Sequence, residues 1–143
     1  MSKILQIIVA EDDEDYRFLF EQSLNETGIA STLSFASNGL EVIALLNTMR
    51  KPPDIIFLDI NMPKMDGLTA LERIRANEVF SKVPIIIFSS TADPAKVEVA
   101  YQCGATLYVT KPANYLDYLS LLRSLLLGQN DAEALTHTSG KAN

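Results

Sequence analysis

The chain has 143 residues, of which 48% are apolar, and it carries a formal net charge of −6. This length is typical of one domain, and the acidic balance disfavours nucleic acid and anionic membrane surfaces, both of which attract basic proteins. A single cysteine, Cys103, excludes an internal disulfide and a cysteine-based zinc site. Because we find neither a signal peptide nor an apolar run of the roughly 20 residues that span a bilayer, we expect a cytoplasmic protein.

Short apolar runs alternate with segments of helical periodicity along the chain. The runs predict five strands, at 7–9, 32–36, 54–58, 84–88 and 106–109. The helical segments are 14–26, 40–49, 67–76, 94–103 and 114–127. Strands that alternate with helices in this way are typical of an α/β fold with a doubly wound parallel sheet. We therefore expect one domain over residues 1–127 and a disordered tail over 128–143, where the sequence is polar and without periodicity.

Four of the predicted strands end in polar residues that form one chemical set. Glu11 and Asp12 follow the first strand, Asp59 the third, Ser89 the fourth and Lys111 the fifth. Parallel strands all end at the same edge of a sheet, and α/β proteins bind their ligands outside that edge. We therefore expect these side chains to lie close together and to form a site.

The three carboxylates of this set predict a metal site. Glu11, Asp12 and Asp59 would repel one another without a counter-ion, and some of them would take up protons. Oxygen ligands without His or Cys suit a hard cation such as Mg²⁺. The acids that follow, Asp13 to Asp15, are interpreted instead as the capped start of a helix, where the helix dipole favours negative charge.

The other polar groups are those that phosphoryl transfer requires. A carboxylate such as Asp59 can attack phosphorus and form an acyl phosphate. The Lys111 ammonium and the Ser89 hydroxyl would each bind a phosphoryl oxygen beside the cation, because this reaction depends on positioning and on charge neutralisation. Each residue alone also fits an ordinary surface or strand-end position, so their joint occurrence at successive strand ends carries the hypothesis.

Four stretches of the sequence resemble the receiver domains of two-component response regulators, over about residues 3–127. They are IIVAEDDEDYR, DIIFLDINMPKMDGL, VPIIIFSST and CGATLYVTKP. The resemblance implies a flavodoxin-like sheet with strand order 2-1-3-4-5 and a phosphoryl group accepted on Asp59. It also implies Mg²⁺ bound by Glu11, Asp12, Asp59 and the main-chain carbonyl of Asn61.

The same resemblance assigns further positions to phosphate binding and to switching. It implies that Lys111 contacts the phosphoryl group and that Ser89 is the switch hydroxyl. Tyr108 stands where the family has an aromatic residue that moves into the core when the hydroxyl moves. A cis peptide bond between Lys111 and Pro112 is also expected, since X-Pro is the one peptide type that adopts it at low cost, and it would aim the lysine into the site.

The resemblance further implies a histidine kinase or a histidine phosphotransfer protein as the phosphoryl donor. Because the residues after Leu127 show no core pattern, we expect a stand-alone regulator or phosphorelay intermediate that signals to a downstream protein through its own surface. The last helix is apolar over most of its circumference, which fits equally a well-buried edge helix with a few exposed leucines and a docking face or homodimer through the last strand and the neighbouring helices. Light scattering tests the homodimer. Neither nucleic acid nor a membrane is expected as a partner.

Alternative functions remain open from the sequence. A Mg²⁺-dependent phosphatase of the haloacid dehalogenase type also phosphorylates a strand-end aspartate, but it places a second acid two residues later, where this chain has Asn61. A receiver-like interaction module that no longer takes phosphate is disfavoured by the intact Asp12, Asp59 and Lys111. A flavodoxin-like cofactor or dinucleotide site would need a phosphate-binding, Gly-rich loop after the first strand, and here that loop is acidic. We therefore expect no enzyme other than one that catalyses its own phosphorylation and dephosphorylation.

Overall fold

Five parallel strands form one sheet in the computed structural model, which describes residues 3–127. The strands are β1 (Leu5–Ala10), β2 (Ser31–Ala36), β3 (Ile55–Leu58), β4 (Ile85–Ser89) and β5 (Leu107–Thr110). Their order across the sheet is β2-β1-β3-β4-β5, with every neighbouring pair parallel. This order confirms the predicted doubly wound α/β fold. The predicted tail, 128–143, lies outside the described residues.

Within residues 3–127, five α-helices connect and follow the strands. They are α1 (Glu14–Thr27), α2 (Gly39–Thr48), α3 (Gly67–Arg75), α4 (Pro94–Gln102) and α5 (Tyr115–Leu127). A short 3-10 turn over Glu78–Phe80, which the sequence did not predict, precedes β4. The first four helices begin at an Asp or Asn whose side chain accepts a backbone N–H of the first turn. Such caps satisfy N–H groups that have no partner within the helix.

The sheet separates two apolar cores. On one face, α1 and α5 pack against the aromatic rings of β3 and β4, and the rings of Phe20, Phe57, Phe88 and Tyr118 contact one another. On the other face, α2, α3 and α4 cover side chains that alternate with these along the strands, such as Ile56. Both faces are thus buried, and for this reason β3 and β4 are apolar along almost their whole length.

The last helix is buried on one side and exposes leucines near its two ends. Tyr118, Leu122 and Leu125 are buried against the sheet and α1, whereas Leu116 is 73% and Leu127 is 67% exposed. The apolar pattern of α5 is therefore mostly that of a core helix. Whether the exposed leucines contact a target or a second copy stays a prediction. No helix within 3–127 combines the length and the apolar character needed to cross a bilayer.

One buried hydroxyl allows a test of this packing. Ser23 in α1 is fully buried, and its Oγ has no hydrogen-bond partner among the described residues. Because an unpaired buried hydroxyl costs about 1–3 kcal/mol, Ser23→Ala should raise the free energy of unfolding by about 1 kcal/mol, measured by urea denaturation.

The matched control is Ser124→Ala, an exposed serine within α5. Like Ser23→Ala, this substitution raises helix propensity by about 0.5 kcal/mol, but it removes no buried polar group. Equal stabilisation by the two variants would contradict the assignment of Ser23 as an unsatisfied group.

Candidate functional site

The site lies where β1, β3 and β5 end. One residue beyond each of these strands, the backbone still forms a hydrogen bond to the neighbouring strand. The Glu11 N–H donates to the Ala36 carbonyl at 2.9 Å, and the Asp59 N–H donates to the Ala10 carbonyl at 3.0 Å. The Lys111 N–H donates in the same way to the Ser89 carbonyl at 2.7 Å. The backbone of each functional residue is therefore held by the sheet itself.

The three predicted carboxylates converge in the structure. Glu11, Asp12 and Asp59 each offer one oxygen, and these oxygens all lie within 4.8 Å of one another. Glu11 and Asp59 are buried, whereas Asp12 is exposed. The donor set consists of carboxylate oxygens alone, which fits a hard cation such as Mg²⁺.

The Lys111 ammonium lies among these carboxylates. It donates to Glu11 Oε1 in a very short hydrogen bond, and its Nζ is 3.5 Å from Asp59 Oδ2. Its side chain is only 3% exposed. Three carboxylates and one ammonium leave two net negative charges, which one divalent cation would neutralise. The structure thus brings together the three predicted carboxylates and the lysine that was predicted to bind phosphate.

The surroundings of Glu11 change the pKa of its carboxyl group. Burial raises the pKa of the Glu11 carboxyl above its ordinary value, and the charge of Asp59 raises it further, against the hydrogen bond and the charge of Lys111. A raised pKa in the folded protein means that ionisation of Glu11 opposes folding as the pH rises through that pKa. A cation beside the ionised carboxylate would remove this cost.

A glycine fixes the loop that follows Asp59. The N–H of Gly67 donates to the Ile60 carbonyl at 2.9 Å. A Cβ on Gly67 would lie 2.0 Å from the Asp59 carbonyl oxygen, so no larger residue fits without a backbone shift. Asn61 lies in this loop and is exposed; the role of its main-chain carbonyl as a metal ligand stays a prediction.

The predicted switch residues meet at Thr91. Ser89 is fully buried at the end of β4, and its Oγ accepts the N–H of Thr91 at 3.3 Å. The Tyr108 ring lies in the core, 2% exposed, and its hydroxyl donates to the Thr91 carbonyl at 2.6 Å. The structure thus shows the inward arrangement of Tyr108. Tyr101, which the sequence did not single out, accepts the Tyr108 N–H through its hydroxyl at 3.0 Å.

The expected cis peptide bond is absent. The described residues contain no cis peptide, so the Lys111–Pro112 bond is trans and that prediction is wrong. The lysine needs no such bond to reach the site, because its N–H is held by Ser89 and its side chain extends to Glu11. Trans is also the lower-energy form of an X-Pro bond, by about 0.5–1 kcal/mol.

Sequence reasoning missed three residues that surround the site. The Tyr16 ring lies beneath the Lys111 ammonium, with its centroid 3.9 Å from Nζ. Arg17 holds the end of β1, since its Nε donates to the Glu11 carbonyl at 2.5 Å. Tyr118 lines the same small cavity as Glu11, Tyr16, Asp59 and Lys111. Burial, followed by the charge of Glu11, raises the pKa of Tyr118, so its phenol stays protonated.

No local signal marks these three residues. In the sequence they are ordinary members of α1 and α5, at positions that helical periodicity assigns only to a face of the helix. Their contacts with the site depend on how the helices cross the sheet, and Tyr16 and Lys111 are far apart in the chain.

Comparison with known proteins agrees with this geometry. Residues 7–123 match the family described as the response regulator receiver domain. The chain belongs to that family. It is also similar to the sensor histidine kinase CheAY of Helicobacter pylori, 35% identical over 106 residues, which are 74% of this chain and 13% of that protein. The DNA-binding transcriptional regulator NtrC of Salmonella typhimurium is 35% identical over 114 residues, which are 80% of this chain and 23% of that protein.

Solved structures support the same fold. The response regulator RPA3017 in red light signalling of R. palustris superposes with a TM-score of 0.81 at 26% identity, covering 90% of this chain and 96% of that one. The phosphorylated cyanobacterial phytochrome response regulator RcpA gives a TM-score of 0.83 at 22% identity, with coverage of 90% and 96%. At that identity it supports the fold alone. The chain spans less than a quarter of the length of the two curated relatives above. Receiver domains are signalling modules of two-component systems.

The close approach at Gly67 yields a prediction for the metal site. Gly67→Ala should weaken Mg²⁺ binding by about 10- to 100-fold, the usual effect of disturbing the groups that orient metal ligands. The reason is that the new Cβ must displace the backbone of Asp59. Isothermal titration calorimetry with Mg²⁺ measures the effect.

Gly28→Ala is the control for general destabilisation. Gly28 has a φ of +73° at the end of α1, so alanine is strained there, but a Cβ would meet no atom within 4 Å. Its Mg²⁺ affinity should remain that of the wild type. An unchanged affinity in Gly67→Ala would show that the loop after Asp59 does not fix the metal ligands.

Proposed function

We propose that this receiver accepts a phosphoryl group on Asp59 from a histidine kinase or a histidine phosphotransfer protein, and that it signals by a change of conformation. The observation that carries the proposal is the position of the Asp59 carboxylate at the end of β3, close to two other carboxylates and 3.5 Å from the Lys111 ammonium. We assign residues 1–127 to the receiver and propose a cytoplasmic location, where such donors act.

The reaction is a displacement at phosphorus. An oxygen of the Asp59 carboxylate forms the new O–P bond, while the N–P bond of the donor phosphohistidine breaks. The imidazole nitrogen keeps the electron pair of that bond and takes up a proton from solvent. Asp59 thereby changes from a carboxylate into an acyl phosphate.

The Lys111 ammonium can bind the phosphoryl group once negative charge has been added at Asp59. The ammonium already lies near Asp59 Oδ2, so a short movement of a flexible side chain brings it to a phosphoryl oxygen. Glu11, Asp12, Asp59 and the main-chain carbonyl of Asn61 would hold Mg²⁺. When bound, the ion supplies charge neutralisation at the phosphoryl oxygens. These roles make the chain a substrate and catalyst of its own modification rather than an enzyme that acts on other molecules.

Asn61 argues against turnover of external substrates. A phosphatase of the haloacid dehalogenase type needs an acid two residues after the nucleophile, and an amide cannot transfer that proton. The phosphate-independent interaction module is the remaining alternative, and the following experiment separates it from the proposal.

Incubation with acetyl phosphate tests phosphorylation directly. Intact-protein mass spectrometry should show one phosphoryl adduct in the presence of Mg²⁺ and much less in its absence. Asp59→Asn should show none, because the amide is not a nucleophile toward phosphorus. If the wild type forms no adduct under any condition, the chain is a receiver-like module that works without phosphate.

The output of the switch is proposed to pass through Ser89 and Tyr108. Both residues bond Thr91, Ser89 through the N–H and Tyr108 through the carbonyl. Movement of the Ser89 hydroxyl toward a phosphoryl oxygen breaks its hydrogen bond with the Thr91 N–H. The backbone at Thr91 can then shift, and with it the carbonyl that accepts the Tyr108 hydroxyl. The surface altered is that of β5 and its neighbouring helices, and the downstream protein or a second copy would bind there.

Ser89→Ala tests this coupling. Addition of a phosphoryl mimic to ¹⁵N-labelled wild type should shift the amide resonances of Thr91 and Tyr108 strongly, and Ser89→Ala should reduce these shifts several-fold. The control is Ser90→Ala, which removes the exposed neighbouring hydroxyl. If Ser89→Ala responds like the wild type, the hydroxyl does not transmit the signal.

A further inference from the structure

Three groups surround the Lys111 ammonium. Glu11 Oε1 accepts one hydrogen bond, and Asp59 Oδ2 lies 3.5 Å away. The third neighbour is the face of the Tyr16 ring, whose centroid is 3.9 Å from Nζ. This distance is well within the roughly 6 Å over which an aromatic face attracts a cation. The ammonium is thus in contact with two carboxylates and one aromatic face.

The backbone of Tyr16 is fixed independently of Lys111. Asp13 caps α1, and its Oδ1 accepts the N–H of Asp15 at 2.8 Å and that of Tyr16 at 3.3 Å. Arg17, the next residue, bonds the Glu11 carbonyl. The backbone of Tyr16 is thus fixed by the cap that precedes it, and the next residue ties α1 to the end of β1.

A lysine held only by carboxylates would not be held in one place. Its four-carbon stem has several rotatable bonds, and Glu11 and Asp59 both attract the ammonium. The ring closes the side of the ammonium that faces α1. With that side closed, the ammonium stays between Glu11 and Asp59, where an incoming phosphoryl group arrives.

We propose that Tyr16 is a positioning residue, whose ring face holds the Lys111 ammonium between Glu11 and Asp59. The role belongs to the ring and not to the hydroxyl. The functional consequence rests on the proposed phosphorylation of Asp59, whereas the placement of Lys111 does not. Tyr16→Phe preserves the aromatic face, and Tyr16→Leu removes it while keeping an apolar side chain of helical propensity.

The placement is tested by NMR without metal or phosphate. Protons above the face of an aromatic ring are shielded, so the Lys111 Hε resonances of the wild type should lie upfield of those of the other lysines. Tyr16→Phe should retain this shift and Tyr16→Leu should lose it. The control is Phe18→Leu, which removes an aromatic ring that is 63% exposed on the same helix, and it should leave the Lys111 resonances in place.

The consequence is tested by the rate of phosphorylation with acetyl phosphate and Mg²⁺. A partly desolvated cation–ring contact corresponds to a factor of about 2 to 30, so Tyr16→Leu should form the adduct more slowly by about that factor. Tyr16→Phe and Phe18→Leu should match the wild type. Thermal denaturation of each variant establishes that the protein compared is folded.

The outcomes separate this proposal from the proposed function. Unshifted Lys111 resonances in the wild type overturn the proposal without any variant, even if Tyr16→Leu does not fold. A wild-type rate in Tyr16→Leu also overturns it. Failure of the wild type to form any adduct overturns the phosphorylation of Asp59, while the ring-current shift still decides whether Tyr16 holds Lys111.

Discussion

The repulsion among Glu11, Asp12 and Asp59, and its partial cancellation by Lys111, is the constraint on which the site depends. Two of these carboxylates are buried, where ionised groups are expensive unless they are paired. Lys111 pairs with both, yet one ammonium leaves an excess of negative charge. Burial raises the pKa of Glu11 first of all, and the charge of Asp59 adds to it, so the ionised carboxylate is unfavourable here even beside Lys111. A divalent cation bound to these carboxylates would therefore stabilise the folded site.

The sheet makes this arrangement possible by fixing the backbone before the side chains meet. Glu11, Asp59 and Lys111 each donate a backbone N–H across to the neighbouring strand. Since both sheet faces are buried under helices, the strand ends cannot separate to relieve the repulsion. Asp12 has a freedom that Glu11 and Asp59 lack, since its side chain is exposed.

Much of this could be predicted from the sequence because it is local. Apolar runs predicted the strands, helical periodicity predicted the helices, and the polar residues at strand ends predicted the convergence of Glu11, Asp59 and Lys111. Contacts between distant segments could not be predicted in this way, and the Tyr16 ring under Lys111 is the clearest case. The cis bond before Pro112 was inferred from resemblance alone. The peptide is trans, and the Lys111 side chain still reaches Glu11.

Two groups of packed side chains connect the site with different surfaces. Ser89 and Tyr108 meet at Thr91 and lead to β5 and α4. Tyr118, which belongs to α5, lines the cavity beside Lys111 and so connects the site with that helix. The centroid of its ring lies 5.3 Å from that of Phe88 in β4. Since a core packed at this density deforms in discrete steps, a movement of Lys111 toward a phosphoryl oxygen would alter the cavity that Tyr118 lines. If Asp59 is phosphorylated as proposed, the first group would respond through the Ser89 hydroxyl and the second through the Lys111 ammonium, so substitutions at Ser89 and at Tyr118 would affect separable parts of the response.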